Sequence, residues 1–139
     1  MGYRHIDIAQ EYRNEAEVGR AIKVTHISRE EFFVTTKVER SLLQADNLYL
    51  SVESSLIKSE LEYIDLLLIH WPNPQVPSDQ TIESMLILKE QGKVANIGVR
   101  NFPLSLLKQA REEYLALIFC NQVEYHPLLG QFDLLDYAL

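Results

Sequence analysis

Four residues of this 139-residue chain are of types that pass protons to a polar substrate: Asp7, Tyr12, Lys37 and His70. Tyrosine is a poor acid at neutral pH, with a reference pKa of about 10. A neighbouring ammonium favours the phenolate and so eases release of the proton. A carboxylate beside that ammonium keeps it charged and oriented, and a histidine across the pocket can hydrogen-bond a substrate oxygen. Such a set can protonate a carbonyl oxygen while the carbonyl carbon takes up hydride. Each residue also has a plainer role open to it. Asp7 can cap the next helix, Lys37 can face solvent, Tyr12 can be an amphipathic rim residue, and His70 can be a hydrogen-bonded structural residue. The chain has no obvious activated serine or cysteine and no histidine pair at metal-ligand spacing, so no metal is expected. Cys120 reads as a small core residue.

Chemistry requires a fold that gathers these side chains. Short, mostly continuous apolar runs predict strands at residues 3–9, 32–38, 64–70, 94–99 and 118–124, in the pattern of strands covered on both faces. Helical spacing predicts helices at 14–24, with Val18, Ala21 and Ile22 on one face, and at 46–59 and 78–91. Gly92 stops the last of these. Pro103 suits the first turn of another helix, and a final helix is predicted from Phe132 to the end. Ser28-Arg29-Glu30-Glu31 has capping-box spacing and opens a turn before the second strand. Strict alternation of strand and helix predicts a parallel sheet with right-handed crossovers in one α/β domain over residues 1–139. No Gly-x-Gly-x-x-Gly follows the first strand and no P-loop occurs, which favours part of a (β/α) barrel over a Rossmann or P-loop fold.

In a parallel barrel, catalytic groups sit where strands end. Here the ends deliver Asp7, with Tyr12 in the loop beyond, then Lys37, His70 and Asn101, and finally Asn121, Gln122 and Glu124. The formal net charge of −7 argues against nucleic acid or an anionic membrane as partner. No apolar run approaches the roughly 20 residues of a membrane-spanning helix, and charges fall where a signal peptide needs an apolar stretch. A single cysteine rules out an internal disulfide and fits a cytoplasmic location.

Five segments together resemble the aldo-keto reductase family, over nearly the whole chain. GYRHIDIAQEYRNEAEVGRAI is similar to the segment that carries the family's catalytic Asp and Tyr. FFVTTKV resembles the strand of the catalytic Lys, and YIDLLLIHWPNP that of the catalytic His. GKVANIGVRNF and NQVEYHPLL resemble two further strand ends. The resemblance implies an incomplete (β/α)8 TIM barrel and reduction of aldehydes or ketones with NAD(P)H, NADPH being the commoner choice. It implies Tyr12 as general acid, Lys37 and Asp7 tuning it, and His70 orienting the carbonyl. Trp71 becomes a pocket wall, and Asn101 and Gln122 become ligands of the nicotinamide carboxamide.

Some positions depart from the family pattern. Arg100 stands where a serine usually helps hold the carboxamide; its long cation can reach the same oxygen or crowd the ring. Glu39 replaces a frequent aromatic pocket residue, and Ile8 a small residue after the Asp. Met85-Leu86-Ile87-Leu88 puts apolar side chains on every side of its helix. A complete barrel needs about 250 residues, so the first strand and the last two are expected to be missing, and the truncated chain alone is expected to be inactive and to self-associate through open sheet edges. Two other readings stay open: a non-catalytic half-barrel serving as a binding or assembly module, and another barrel enzyme, a lyase or isomerase, using the same Lys and His.

Overall fold

The computed structural model describes residues 2–139. Strands β1 (His5–Asp7), β2 (Phe33–Val38), β3 (Ile64–Ile69), β4 (Val94–Arg100) and β5 (Asn121–Gln122) form one sheet in sequential order, and every neighbouring pair is parallel. Helices α1 (Glu15–Lys23), α2 (Ala45–Ser59), α3 (Ser78–Glu90) and α4 (Leu104–Lys108) occupy the crossovers, and α5 (Phe132–Ala138) follows the last strand. This is five consecutive strands of an incomplete (β/α)8 barrel.

Register decides which side chains share a face, because successive residues of a strand point to opposite sides. Asp7 lies beside Thr35, Lys37 beside Leu68, Leu68 beside Gly98, and Arg100 beside Gln122. The ladder runs on past β3, since the His70 amide donates to the Val38 carbonyl at 3.2 Å. Stepping by two along each strand places Asp7, Lys37, His70, Arg100 and Gln122 on one face, at its C-terminal end. Val38, Leu67, Ile69, Ile97 and Val99 point the other way. They pack against Leu48 and Val52 of α2 and Ile82, Met85 and Leu88 of α3 to form the main core.

The sheet is strongly curled. A flat sheet of five strands would hold its edges about 19 Å apart. Here Gln122 of β5 donates from Nε2 to Asp7 Oδ2 of β1 at 2.6 Å, and the Phe33 and Phe119 rings stack at 6.0 Å. The polar rim therefore closes into a concave site even with β1 and β5 unpaired on their outer sides.

Several local expectations need correction. The edge strands are shorter than their apolar runs, because each has a partner on one side only. Around β5 the bonding still extends further, with Phe119 N donating to Ile97 O at 2.8 Å and Val99 N to Cys120 O at 2.9 Å. Ser28 makes no capping bond: Arg29–Glu31 is a single 3-10 turn, and the chain is extended again at Phe32. Arg29 is the anchor there. Its guanidinium donates to Phe32 O at 3.0 Å, Tyr63 O at 2.9 Å and Asp65 Oδ2 at 2.7 Å, tying the start of β2 to β3. The buried stripe of α1 is Glu15, Gly19 and Ile22 with Val18 half-buried, and Ala21 is exposed. A Cβ on Gly19 would come within 1.9 Å of the Ser59 carbonyl, so only glycine lets α1 lie this close to the end of α2. In α3 the apolar run does not cover every side equally: Met85 and Leu88 are buried, whereas Ile87 is 44% exposed.

Candidate active site

Lys37 is the centre of the site. It is 1% exposed, and a buried ammonium needs partners. It has them: Nζ is ion-paired with the Asp7 carboxylate and donates to the Ile8 carbonyl at 2.8 Å. Both partners come from the end of β1, so strand pairing alone brings them within reach. The same Nζ lies 5.2 Å from the centroid of the Tyr12 ring.

Tyr12 is half-exposed and ends a 3-10 turn, Gln10–Tyr12, that leads out of β1. Gln10 fixes this turn. Its Oε1 accepts from the Glu39 amide at 3.1 Å, and its Nε2 donates to Ser51 Oγ at 3.1 Å and Ser55 Oγ at 3.2 Å. Arg13, at φ 54°, then reverses the chain into α1. The role of Gln10 was not legible in the sequence, because its partners lie just after β2 and on α2.

His70 is buried and meets Tyr12 edge-on, with ring centroids 6.0 Å apart and planes at 88°. Burial pushes the imidazole below its ordinary pKa. The Glu11 carboxylate opposes this, Arg100 and Lys37 add to it, and Asp7 opposes it. Among the described residues Nδ1 has no hydrogen-bond partner, and the nearest carboxylate oxygen is Glu11 Oε2 at 3.5 Å.

The remaining polar strand ends separate into two groups. Asn101 has φ 58° and donates from Nδ2 to the His70 carbonyl at 3.2 Å, bracing the end of β3. The Arg100 guanidinium lies 5.5 Å above the half-exposed Trp71 ring. Gln122 reaches Asp7, as described. Asn121 and Glu124 do not join them. Asn121 accepts from Phe102 N at 3.3 Å and donates to Phe102 O at 2.9 Å on the opposite face, and Glu124 bonds His126 at 3.0 Å in the loop beyond. Cys120 is partly buried, and burial raises its thiol pKa. Next to Tyr12 and His70, and reaching them only through Glu11, opens a cleft of about 830 Å³ lined by Glu11, Glu39, Arg40, Gln44 and Asn73. Glu39 and Arg40 make its wall polar.

The Asp7–Lys37 pair has a measurable consequence. Burial of Asp7 disfavours its charge, but hydrogen bonds from Lys37 and Gln122 and the Lys37 charge outweigh that and hold its pKa below the usual carboxylate range. A carboxyl depressed in the folded state adds stability above its unfolded pKa, and that stability is lost as pH falls through the folded value. Urea midpoints are therefore expected to fall as pH drops below about 4. Asp7→Asn should be less stable at neutral pH and lose this part of the acid dependence. Parallel midpoint-against-pH curves for the two would contradict it.

The model of the "Aldo/keto reductase family" matches residues 1–139. The chain is 42% identical to "Methylglyoxal reductase DkgB" of Yersinia pestis, over 99% of this chain and 53% of that protein. It is 45% identical to an "Aldo-keto reductase" of Mycobacterium avium (strain 104), over 96% of this chain and 47% of that one. A crystal structure described as a putative 2,5-diketo-D-gluconic acid reductase B superposes with a TM-score of 0.94 at 43% identity, covering 99% of this chain and 49% of that one. An aldo-keto reductase complexed with NADPH superposes with a TM-score of 0.94 at 31% identity, covering 99% and 46%. The chain spans about half the length of these relatives. With its fold and its sequence in agreement over residues 1–139, the chain belongs to the aldo/keto reductase family.

Proposed function

We propose that the full chain carrying these residues reduces small aldehydes or ketones to alcohols with NADPH, Tyr12 acting as general acid. The observation that carries this reading is the Lys37 ammonium, buried against Asp7 and 5.2 Å from the Tyr12 ring, with the His70 ring 6.0 Å away on another strand. The Tyr12 hydroxyl donates its proton to the carbonyl oxygen. Lys37 favours the phenolate left behind, and Asp7 keeps Lys37 charged and in place. His70 hydrogen-bonds the same oxygen and orients it. Trp71 walls one side of the substrate.

The residues at the ends of β4 and β5 suit a nicotinamide carboxamide, which needs both a donor and an acceptor. Arg100 offers guanidinium N–H donors, Gln122 offers its side-chain carbonyl oxygen, and Asn101 follows Arg100 at a left-handed backbone position. The cofactor, when bound, supplies hydride to the carbonyl carbon. The polar cleft with Glu39, Arg40 and Asn73 favours small, oxygen-rich carbonyl compounds over apolar ones. The names of two similar proteins, a methylglyoxal reductase and a putative diketogluconic acid reductase, support the same class.

The test is consumption of NADPH by the full chain, with methylglyoxal and with an aliphatic aldehyde of similar reactivity, repeated with NADH. Faster turnover of methylglyoxal with NADPH is expected. Tight NADPH binding without turnover of any carbonyl would overturn the reductase reading.

A further inference from the structure

The rim holds one titratable contact that the roles above leave unused. Glu11 immediately precedes Tyr12, and the 3-10 turn directs its carboxylate at His70, with Oε2 3.5 Å from Nδ1. That nitrogen is buried and has no hydrogen-bond partner among the described residues. Buried ring nitrogens are almost always partnered. Glu11 is partly exposed, with 40% of its side chain open to solvent, so it has room to swing a few tenths of an ångström and close the contact.

A carboxylate only accepts hydrogen bonds, so Nδ1 must carry the proton for the two groups to satisfy each other. A neutral imidazole has a single proton. With that proton on Nδ1, Nε2 is a bare acceptor and has nothing to donate to a carbonyl oxygen. We propose that Glu11 is a positioning residue that holds the Nδ1 proton of His70, so that His70 engages the substrate oxygen as an imidazolium. This deepens the proposed function and rests on it for the link to turnover, while the protonation pattern itself does not depend on catalysis.

The groups facing His70 are Glu11 from the turn after β1, Asp7 from β1, Lys37 from β2 and Arg100 from β4, with the Tyr12 ring edge-on. Burial and the two cations oppose the imidazolium; Glu11 and Asp7 favour it. Of the two carboxylates, Asp7 is bound to Lys37 and Gln122, which leaves Glu11 as the group able to contact the ring directly.

The experiment uses the full chain and its Glu11→Gln and Glu11→Leu variants. Imidazole ¹⁵N spectra across pH report tautomer and titration of His70, assigned with His70→Gln, while kcat and KM for methylglyoxal are followed over the same range. In the parent, neutral His70 should carry its proton on Nδ1, and kcat should fall as pH rises through the His70 titration. In Glu11→Leu the neutral ring should carry its proton on Nε2. Its titration should move down by about one pH unit, the lower end for a charge at this distance, and the alkaline fall in kcat should vanish. Glu11→Gln, which keeps the shape, should show the same downward titration shift. A neutral ring protonated on Nε2 in the parent, or an unmoved titration in both variants, would overturn the proposal. A parent that shows the Nδ1 proton but turns over no carbonyl would count against the reductase reading and leave the Glu11–His70 pair standing.

Discussion

Tyr12→Phe in the full chain is expected to lower carbonyl reduction by about 10²–10⁴-fold, the usual worth of a positioned general acid, while NADPH binding stays unchanged. The substitution removes one oxygen and keeps the ring. The ring contacts with Lys37 at 5.2 Å and His70 at 6.0 Å therefore survive, as does the turn that Gln10 holds. Only the proton donor is lost. The loss should appear in kcat and kcat/KM together, because the proton moves only in the transition state. The informative comparison is Lys37→Met, which leaves the Asp7 carboxylate without its cation, held by Gln122 alone, and should cost stability as well as rate. Near-normal turnover by Tyr12→Phe would show that the proton comes from elsewhere, with His70 the next candidate.

Residues 1–139 expressed by themselves are expected to be weakly stable, to self-associate and to lack reductase activity. The structure exposes 8450 Å², where a compact monomer of this mass exposes about 7,400 Å². Much of the excess is apolar and lies toward the C-terminal end: Leu115, Leu117, Phe119, Leu128 and Phe132 are all more than half exposed. At about 25 cal/mol per Å², a few hundred Å² of such surface forgoes several kcal/mol, which rivals the 5–15 kcal/mol of a typical domain. Both sheet edges also offer unpaired backbone groups, and β5 lacks charge until Glu124. Sedimentation velocity and a urea titration read the outcome. A soluble monomer that unfolds cooperatively and binds NADPH at micromolar concentration would show that closure of the barrel matters less than these areas imply.

The sequence by itself determined the alternation of strand and helix, the parallel sheet and the strand ends where Asp7, Lys37, His70 and Gln122 stand. These follow from local signals. Apolar runs such as Leu66–Ile69 mark buried strands, Gly92 at φ 72° stops α3, and the period of two along each strand makes a residue's face a matter of counting. Tertiary structure decided what depends on distance through space. The curl of the sheet brings Gln122 to Asp7 across 115 positions, a closure that no local pattern encodes. The choice among the plainer roles was also spatial. Lys37 is buried because β1 supplies Asp7 and the Ile8 carbonyl beside it, and Asn121 turns away because the register with β4 puts it on the face of Phe102. Glu11 carries no mark in the sequence beyond its place before Tyr12. Its meaning comes from a buried nitrogen on a strand 59 residues later, since hydrogen-bond partners are set by packing rather than by neighbours in the chain.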